Sequence, residues 1–415
     1  MTESASKRLI SMGPIAQFGA DEVFRALGAP VIDVRYVGGC VRDSILGRPV
    51  SDIDLATPDI PQTVIKKVAK AGLRAIPTGL SHGTITVFSQ GFGFEVTTLR
   101  RDTAAHGRYA EVEFTLDWEE DASRRDFTFN AMSARPDGTL FDYYGGECDA
   151  RAGRVRFIGD PRDRIREDYL RILRYFRFLA LYGQEEPSQD ILEACRDLRE
   201  GLNKLSVERI RAEIIKVLSV PEPGRAIDAL NHTHILHQIL PEGSELETLR
   251  ALLNLERKRN VQDSPVIWRS RLSALMPNDQ KKVGDATKRL KLSNIDTNAI
   301  AQINKAATEA RVILSQGQYD HFFYSYKPKT LMTAVLVAWA RDVYASSPAW
   351  ESLYQETLKW SPKTFPLRGQ DVREMGLGEG PRVGVLLEQL EQEWVDGGFH
   401  ESADDLRRRL KALIA

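Results

Sequence analysis

At 415 residues the chain exceeds one ordinary domain, so two to four folded units are expected, and 42% hydrophobic with 28% charged residues describes a soluble globular protein. The formal net charge of −1 does not by itself point to nucleic acid. The longest apolar run, residues 331–340, is broken by Thr333 and falls short of the roughly 20 residues a bilayer requires, and Glu3 interrupts any signal-like start, so no membrane or secretory role is expected. Three cysteines (Cys40, Cys148, Cys195) without a Cys-x-x-Cys pair exclude a disulfide framework or zinc site; they fit a reducing cytoplasm and read as packing residues.

In chain order, residues 21–27 have a helical pattern and residues 31–38 a β-rich one. Then comes Val37-Gly-Gly-Cys-Val-Arg-Asp-Ser-Ile-Leu-Gly47, followed by Val50-Ser-Asp-Ile-Asp-Leu55. Gly38-Gly39 ahead of a helical segment lets backbone approach closely and turns helix N–H groups toward an anion, with Arg42 one turn in. Asp52 and Asp54, two apart, share one face of a strand while Ile53 and Leu55 face the core. Alone, an Asp-x-Asp reads as an edge-strand or turn feature and a Gly-Gly as a turn. Together, about ten residues apart, they make a phosphate cradle beside oxygen ligands suited to Mg²⁺, which is nucleoside-triphosphate chemistry.

A helix over 61–71 and strands over 83–88, 94–99, 111–116 and 138–144 complete this first part. Residues 151–177 then carry nine arginines (151, 154, 156, 162, 164, 166, 171, 174, 177) against four acids and no lysine. That run is either a solvated face or directional recognition of phosphates and bases. From residue 163 onward nearly everything is helix-periodic, with Pro and Gly punctuation at 221–224, 241–243 and 362–369. The last helix starts near Pro381 with Val383, Leu386, Leu387, Leu390 and Trp394 on one apolar face. Basic patches such as Arg257-Lys-Arg259 and Arg407-Arg-Arg409 read as solvated faces more readily than as RNA contacts.

The ordered motifs resemble those of class II tRNA nucleotidyltransferases and bacterial poly(A) polymerases, within the polymerase-β superfamily. They are Gly38-Gly39-x-x-Arg42-Asp43, Asp52-x-Asp54, Ser81-His-Gly-Thr84, Glu95-Val-Thr-Thr-Leu-Arg-Arg-Asp102 and Arg124-Arg-Asp-Phe-Thr-Phe-Asn-Ala131. Asp142-Tyr-Tyr-Gly-Gly146, Glu167-Asp-Tyr-Leu-Arg171, Arg174-Tyr-Phe-Arg177 and Leu205-Ser-Val-Glu-Arg-Ile210 follow. The likeness is strong over residues 30–215 and weaker beyond. It implies an α+β fold: a polymerase-β-like nucleotidyltransferase head with a mixed sheet and flanking helices (1–150), then an all-helical neck (151–225), body (226–320) and tail (321–415). It implies template-independent addition of CCA to tRNA 3′ ends from CTP and ATP by two-metal nucleotidyl transfer, with tRNA bound by its acceptor arm and elbow.

By the same resemblance Asp52 and Asp54 are catalytic and hold Mg²⁺, while Gly39, Arg42 and Arg125 contact the triphosphate. Glu95 is a candidate third carboxylate, or else a strand-face residue paired with an arginine. Asp168 and Arg171, three apart on a presumed helix, face one way: an acceptor beside a donor matches the amino group and ring nitrogen of both cytosine and adenine. Guanine and uracil reverse that order. Arg174 and Arg177 complete the base pocket; the alternative is an ordinary Asp168–Arg171 intrahelical ion pair. Residues 101–113, with His106 and Arg108, resemble a loop that helps switch specificity from C to A. No His-Asp dipeptide occurs, so the phosphohydrolase domain of some relatives is not expected. Poly(A) polymerase, a CC-only or A-only enzyme and a non-catalytic RNA-binding scaffold are the competing readings, and the oligomeric state stays open. Ser81-His-Gly-Thr84 and the Asp168/Arg171 reading favour CCA addition.

Overall fold

The computed structural model describes residues 9–104, 111–243, 245–262, 264–316, 319–342, 347–375 and 380–414. The chain divides into two compact units, Met1–Leu236 and His237–Ala415.

The first unit is built on a seven-stranded sheet. Its strands are β1 (Arg35–Val37), β2 (Ile53–Thr57), β3 (Arg74–Gly79), β4 (Thr84–Ser89), β5 (Phe92–Thr98), β8 (Ser133–Ala134) and β9 (Leu140–Phe141), in the order β3-β4-β5-β2-β1-β8-β9. Only the β2–β5 pair is parallel, so the sheet is mixed as expected. In β4, Ile85 and Val87 are buried and their neighbours are half-buried, the period-2 alternation of a strand with one covered face. A separate ribbon pairs β6 (Arg100–Ala104) with β7 (Glu111–Phe114). His106 and Arg108, expected in a specificity-switching loop, fall in sequence between these strands and lie outside the described residues.

The Asp21–Leu27, Gly39–Ile45 and Pro61–Lys70 helices stand where the sequence placed them. The expected strand over 31–38 shortens to β1 because residues 28–31 form a turn that leaves Val31 90% exposed. The expected strand over 138–144 likewise shortens to β9.

Helices Pro161–Glu167, Leu170–Tyr182, Gln189–Asp197, Val207–Ser219 and Gly224–His232 complete the unit. Phe127 and Phe129 pack against Tyr175, Phe178 and Tyr182 of the Leu170–Tyr182 helix with ring centroids 5.2–6.4 Å apart. Each such pair contributes about 1 kcal/mol beyond area burial, so one aromatic core joins the turn at residues 127–130 to this helix.

Helices are the only regular elements among the described residues of the second unit. Its final core gathers Leu386, Leu390 and Trp394 from the Pro381–Asp396 helix with Leu406 and Leu410, and Val383 and Leu387 pack on its margin. The apolar stripe read from sequence is therefore a core stripe. Among the cysteines, Cys40 and Cys195 are buried packing residues, but Cys148 is exposed and so is not one.

Candidate active site

Asp54 sits on β2 directly opposite Glu95 on β5, and in a parallel pair such partners leave the same face of the sheet. Asp52 lies one residue before β2 begins, with Ser51 Oγ donating to its Oδ2 at 2.8 Å. The Asp54 carboxyl is pushed up to about 6, first by burial and then by Glu95; Asp52 adds to the rise and Arg125 opposes it. Three acids with one arginine leave a negative field that a cation would relieve.

Among the described residues no three His, Cys, Asp or Glu side chains gather closely enough to hold a metal by themselves. Two carboxylates nevertheless fit Mg²⁺, which keeps several waters and takes other oxygens from substrate phosphates.

Beside this pair the chain turns at Gly38, whose φ of 71° and ψ of −124° suit only glycine. A Cβ there would lie 3.1 Å from Arg125 Nη1. The Gly39–Ile45 helix begins at once, and the first amides of a helix have no partner within it. Arg125 donates to the Asn130 carbonyl at 3.4 Å and to Asp121 Oδ2 at 3.3 Å. Arg42 lies beside Gly39 but is only 6% exposed, and its fork is committed inward. Nε and Nη2 donate to Asp43 at 3.0 and 2.8 Å, Nη1 donates to Asn130 Oδ1, and the guanidinium stacks on Tyr182 at 4.3 Å. In this structure the Arg42 guanidinium braces the cradle through Asp43, Asn130 and Tyr182.

The presumed Asp168–Arg171 helix face is corrected. The Pro161–Glu167 helix ends at Asp168, which is extended (φ −150°, ψ 107°), and the next helix starts at Leu170. The break has a local cause: Asp168 Oδ1 accepts the Leu170 amide at 3.1 Å, a carboxylate satisfying a backbone donor that a continuing helix would use. Its Oδ2 accepts from Arg209 at 2.7 Å. Arg171 donates instead to Glu167 at 2.5 Å, to the Arg164 carbonyl at 2.9 Å and to the Arg124 carbonyl at 3.2 Å. The ordinary Asp168–Arg171 ion pair is thus not formed either.

Arg174 pairs with Asp126 and Arg177 with Glu213, at 2.5 and 2.6 Å, and both guanidiniums lie over Phe178. Burial alone would raise the Asp126 carboxyl, but Arg174, Asn130 and Arg171 hold it below its ordinary value.

All nine arginines of residues 151–177 are in ion pairs, with Glu147, Asp149, Asp163, Glu167, Asp126, Glu213, Glu185, Asp190 and Asp197. Arg151, Arg154, Arg156 and Arg166 form an exposed, ion-paired face, while Arg164, Arg171 and Arg177 are largely buried.

Sequence reading missed Asp121, Asp126, Arg209 and Glu213 as members of this constellation. Asp121 and Asp126 flank Arg124-Arg125, so proximity was the available signal. Arg209 and Glu213 lie 41 and 36 residues from their partners, and no local pattern connects them.

Residues 34–156 match the Poly A polymerase head domain family, and residues 186–246 match the probable RNA and SrmB-binding site of polymerase A. The chain is 36% identical over 393 residues to the mitochondrial CCA tRNA nucleotidyltransferase 1 of Mus musculus, across 91% of this chain and 86% of that protein. It is 30% identical over 369 residues to a CCA-adding enzyme of Levilactobacillus brevis, across 87% of this chain and 89% of that one. Bacillus stearothermophilus CCA-adding enzyme in complex with CTP superposes with a TM-score of 0.76 at 26% identity, covering 97% of this chain and 98% of that one. The Thermotoga maritima CCA-adding enzyme complexed with tRNA shares the fold, with a TM-score of 0.70 at 21% identity over 98% and 99% of the two chains. Similarity over nine-tenths of the length, on a head that sets paired carboxylates beside a glycine cradle, places the chain in the family of CCA-adding tRNA nucleotidyltransferases.

Proposed function

We propose that the chain adds CCA to the 3′ ends of tRNA from CTP and ATP, without a nucleic-acid template. The observation that carries this is the Asp52/Asp54 pair beside the Gly38–Gly39 turn and Arg125. The relatives' names and the CTP- and tRNA-bound neighbours support the same substrates. In each step the 3′-hydroxyl oxygen bonds to the α-phosphorus, the bond to the bridging oxygen breaks, and pyrophosphate leaves.

Asp52 and Asp54 would hold Mg²⁺, which when bound neutralises the phosphates, lowers the cost of deprotonating the hydroxyl and stabilises the leaving group. Arg125 and the first amides of the Gly39–Ile45 helix hold the triphosphate. Asp168 and Arg171 read the base. A carboxylate has about four acceptor positions and a guanidinium five N–H groups, so capacity remains beyond Arg209 and the Leu170 amide at Asp168, and beyond Glu167 and the Arg164 and Arg124 carbonyls at Arg171. Arg174 and Arg177 wall the base pocket. In this reading residues 1–150 catalyse, 151–225 select the nucleotide, and 226–320 and 321–415 hold tRNA. Three free cysteines fit a reducing compartment, which we take as the cytoplasm; no helix among the described residues is long and apolar enough to cross a membrane.

The test is incubation with Mg²⁺, a tRNA lacking CCA, and labelled CTP or ATP. Addition of C, C and then A, with UTP and GTP refused, is expected. Long A tails would make the chain a poly(A) polymerase, the second member that the head-domain family name admits. Addition stopping after CC, or starting only on CC, would make it a partial enzyme, and RNA binding without addition a scaffold.

A further inference from the structure

We propose that Asp121 is a positioning residue that fixes the Arg125 guanidinium for the triphosphate. This rests on the reading that Arg125 binds the triphosphate, and the geometry supplies the rest. Asp121 lies in the Trp118–Ser123 helix and is 3% exposed. Its Oδ1 accepts the Arg100 backbone N–H at 3.1 Å and Arg124 Nε at 2.9 Å. With one oxygen fixed, the other is presented in one place, where Oδ2 accepts Arg125 Nη2 at 3.3 Å. Held there and at the Asn130 carbonyl, the guanidinium stands over the Gly38 turn, with N–H groups left for an anion.

The backbone beneath is fixed independently. Arg164 Nη2 donates to the carbonyls of Arg124 and Arg125 at 2.7 and 2.5 Å. What remains free at Arg125 is the direction of its side chain, and Asp121 supplies the charged contact that sets it. Burial alone would raise the Asp121 carboxyl, but Arg125 and Arg124 hold it below its ordinary value, so it is ionised at neutral pH. A hydrogen-bonded carboxylate of this kind orients the group that meets the ligand without meeting the ligand itself.

Asp121→Asn keeps the shape and an acceptor for the Arg100 amide but removes the charge. Steady-state CCA addition by the full chain should show KM for CTP and ATP raised on the order of tenfold, with kcat within about threefold and refusal of UTP and GTP unchanged. Arg125→Ala should raise KM at least as much. Adding Asp121→Asn to Arg125→Ala should then change it little further, since the two act through one contact.

A purely structural role would lower kcat and add its loss to that of Arg125→Ala, and that result overturns the proposal. So does an unchanged nucleotide KM in Asp121→Asn while Arg125→Ala raises it. If Arg125→Ala itself leaves KM unchanged, the triphosphate assignment fails first and takes this proposal with it. Should Asp121→Asn not fold, the charge-balanced Asp121→Asn/Arg124→Gln protein replaces it. The same rise in KM is expected there, and no rise is the overturning result.

Discussion

At the scale of single residues, Asp54 sets function against stability. A carboxyl with an ordinary value of 3.8 that is pushed up to about 6 is ionised at neutral pH at a cost of about 3 kcal/mol. The folded value lies above the unfolded one, so the penalty is absent below pH 3.8, where both states are protonated. It grows as pH rises between the two values and is complete above about 6. Metal-free Asp54→Asn should therefore be more stable than the parent by about 2–3 kcal/mol at pH 8, with the gain fading as pH falls from about 6 and gone below about 4. Urea unfolding in EDTA across that range measures it. Mg²⁺ should stabilise the parent and not the variant, and nucleotide addition by the variant should fall by several kcal/mol of transition-state energy. A variant less stable than the parent at pH 8 would remove the case for an electrostatically strained metal carboxylate.

At the scale of elements, the helix break at Asp168 gives one side chain two tasks that substitutions can separate. Asn keeps an acceptor for the Leu170 amide, so Asp168→Asn should lose only the charge opposite Arg209, about 0.5–1 kcal/mol, whereas Asp168→Ala should lose about 1 kcal/mol more with the Leu170 contact. Both remove the carboxylate that, in the proposed reading, opposes a uracil or guanine carbonyl. Single-turnover addition of the four nucleotides should show discrimination falling on the order of ten- to a hundredfold in each. Equal losses for all four nucleotides would reduce Asp168 to a cap.

The same element shows what the sequence could reveal. The Asp52/Asp54 spacing, the glycine turn and strand β4 follow from short-range periodicity, which the chain writes locally. Strand β3 does not, because Ala75 is half-buried among exposed residues and no alternation marks it. The break at Asp168 was hidden by a helical apolar pattern running on either side of it. The Arg209–Asp168 and Glu213–Arg177 contacts exist only once separate helices have packed.

At the scale of the whole molecule, charge decides how RNA is held. The formal net charge is −1, and the nine arginines of residues 151–177 are all in ion pairs, with Arg164 and Arg171 sharing Glu167. If all nine met phosphates, log K against log salt would fall with a slope near −8, at about 0.9 per contact on a duplex. With these arginines already neutralised, fewer contacts release counterions, and the slope for tRNA should be shallower than about −4. Recognition then leans on the shape of a folded RNA, through backbone and 2′-hydroxyl contacts, more than on bulk charge. A minihelix of acceptor and TψC stems should accordingly be extended nearly as well as whole tRNA, and an unstructured RNA ending in CC poorly. Filter binding between 50 and 200 mM salt, with single-turnover extension of the three RNAs, measures both. A slope near −8 would mean that these arginines exchange their carboxylates for phosphates on binding. Efficient extension of the unstructured RNA would mean that the 3′ end alone is read.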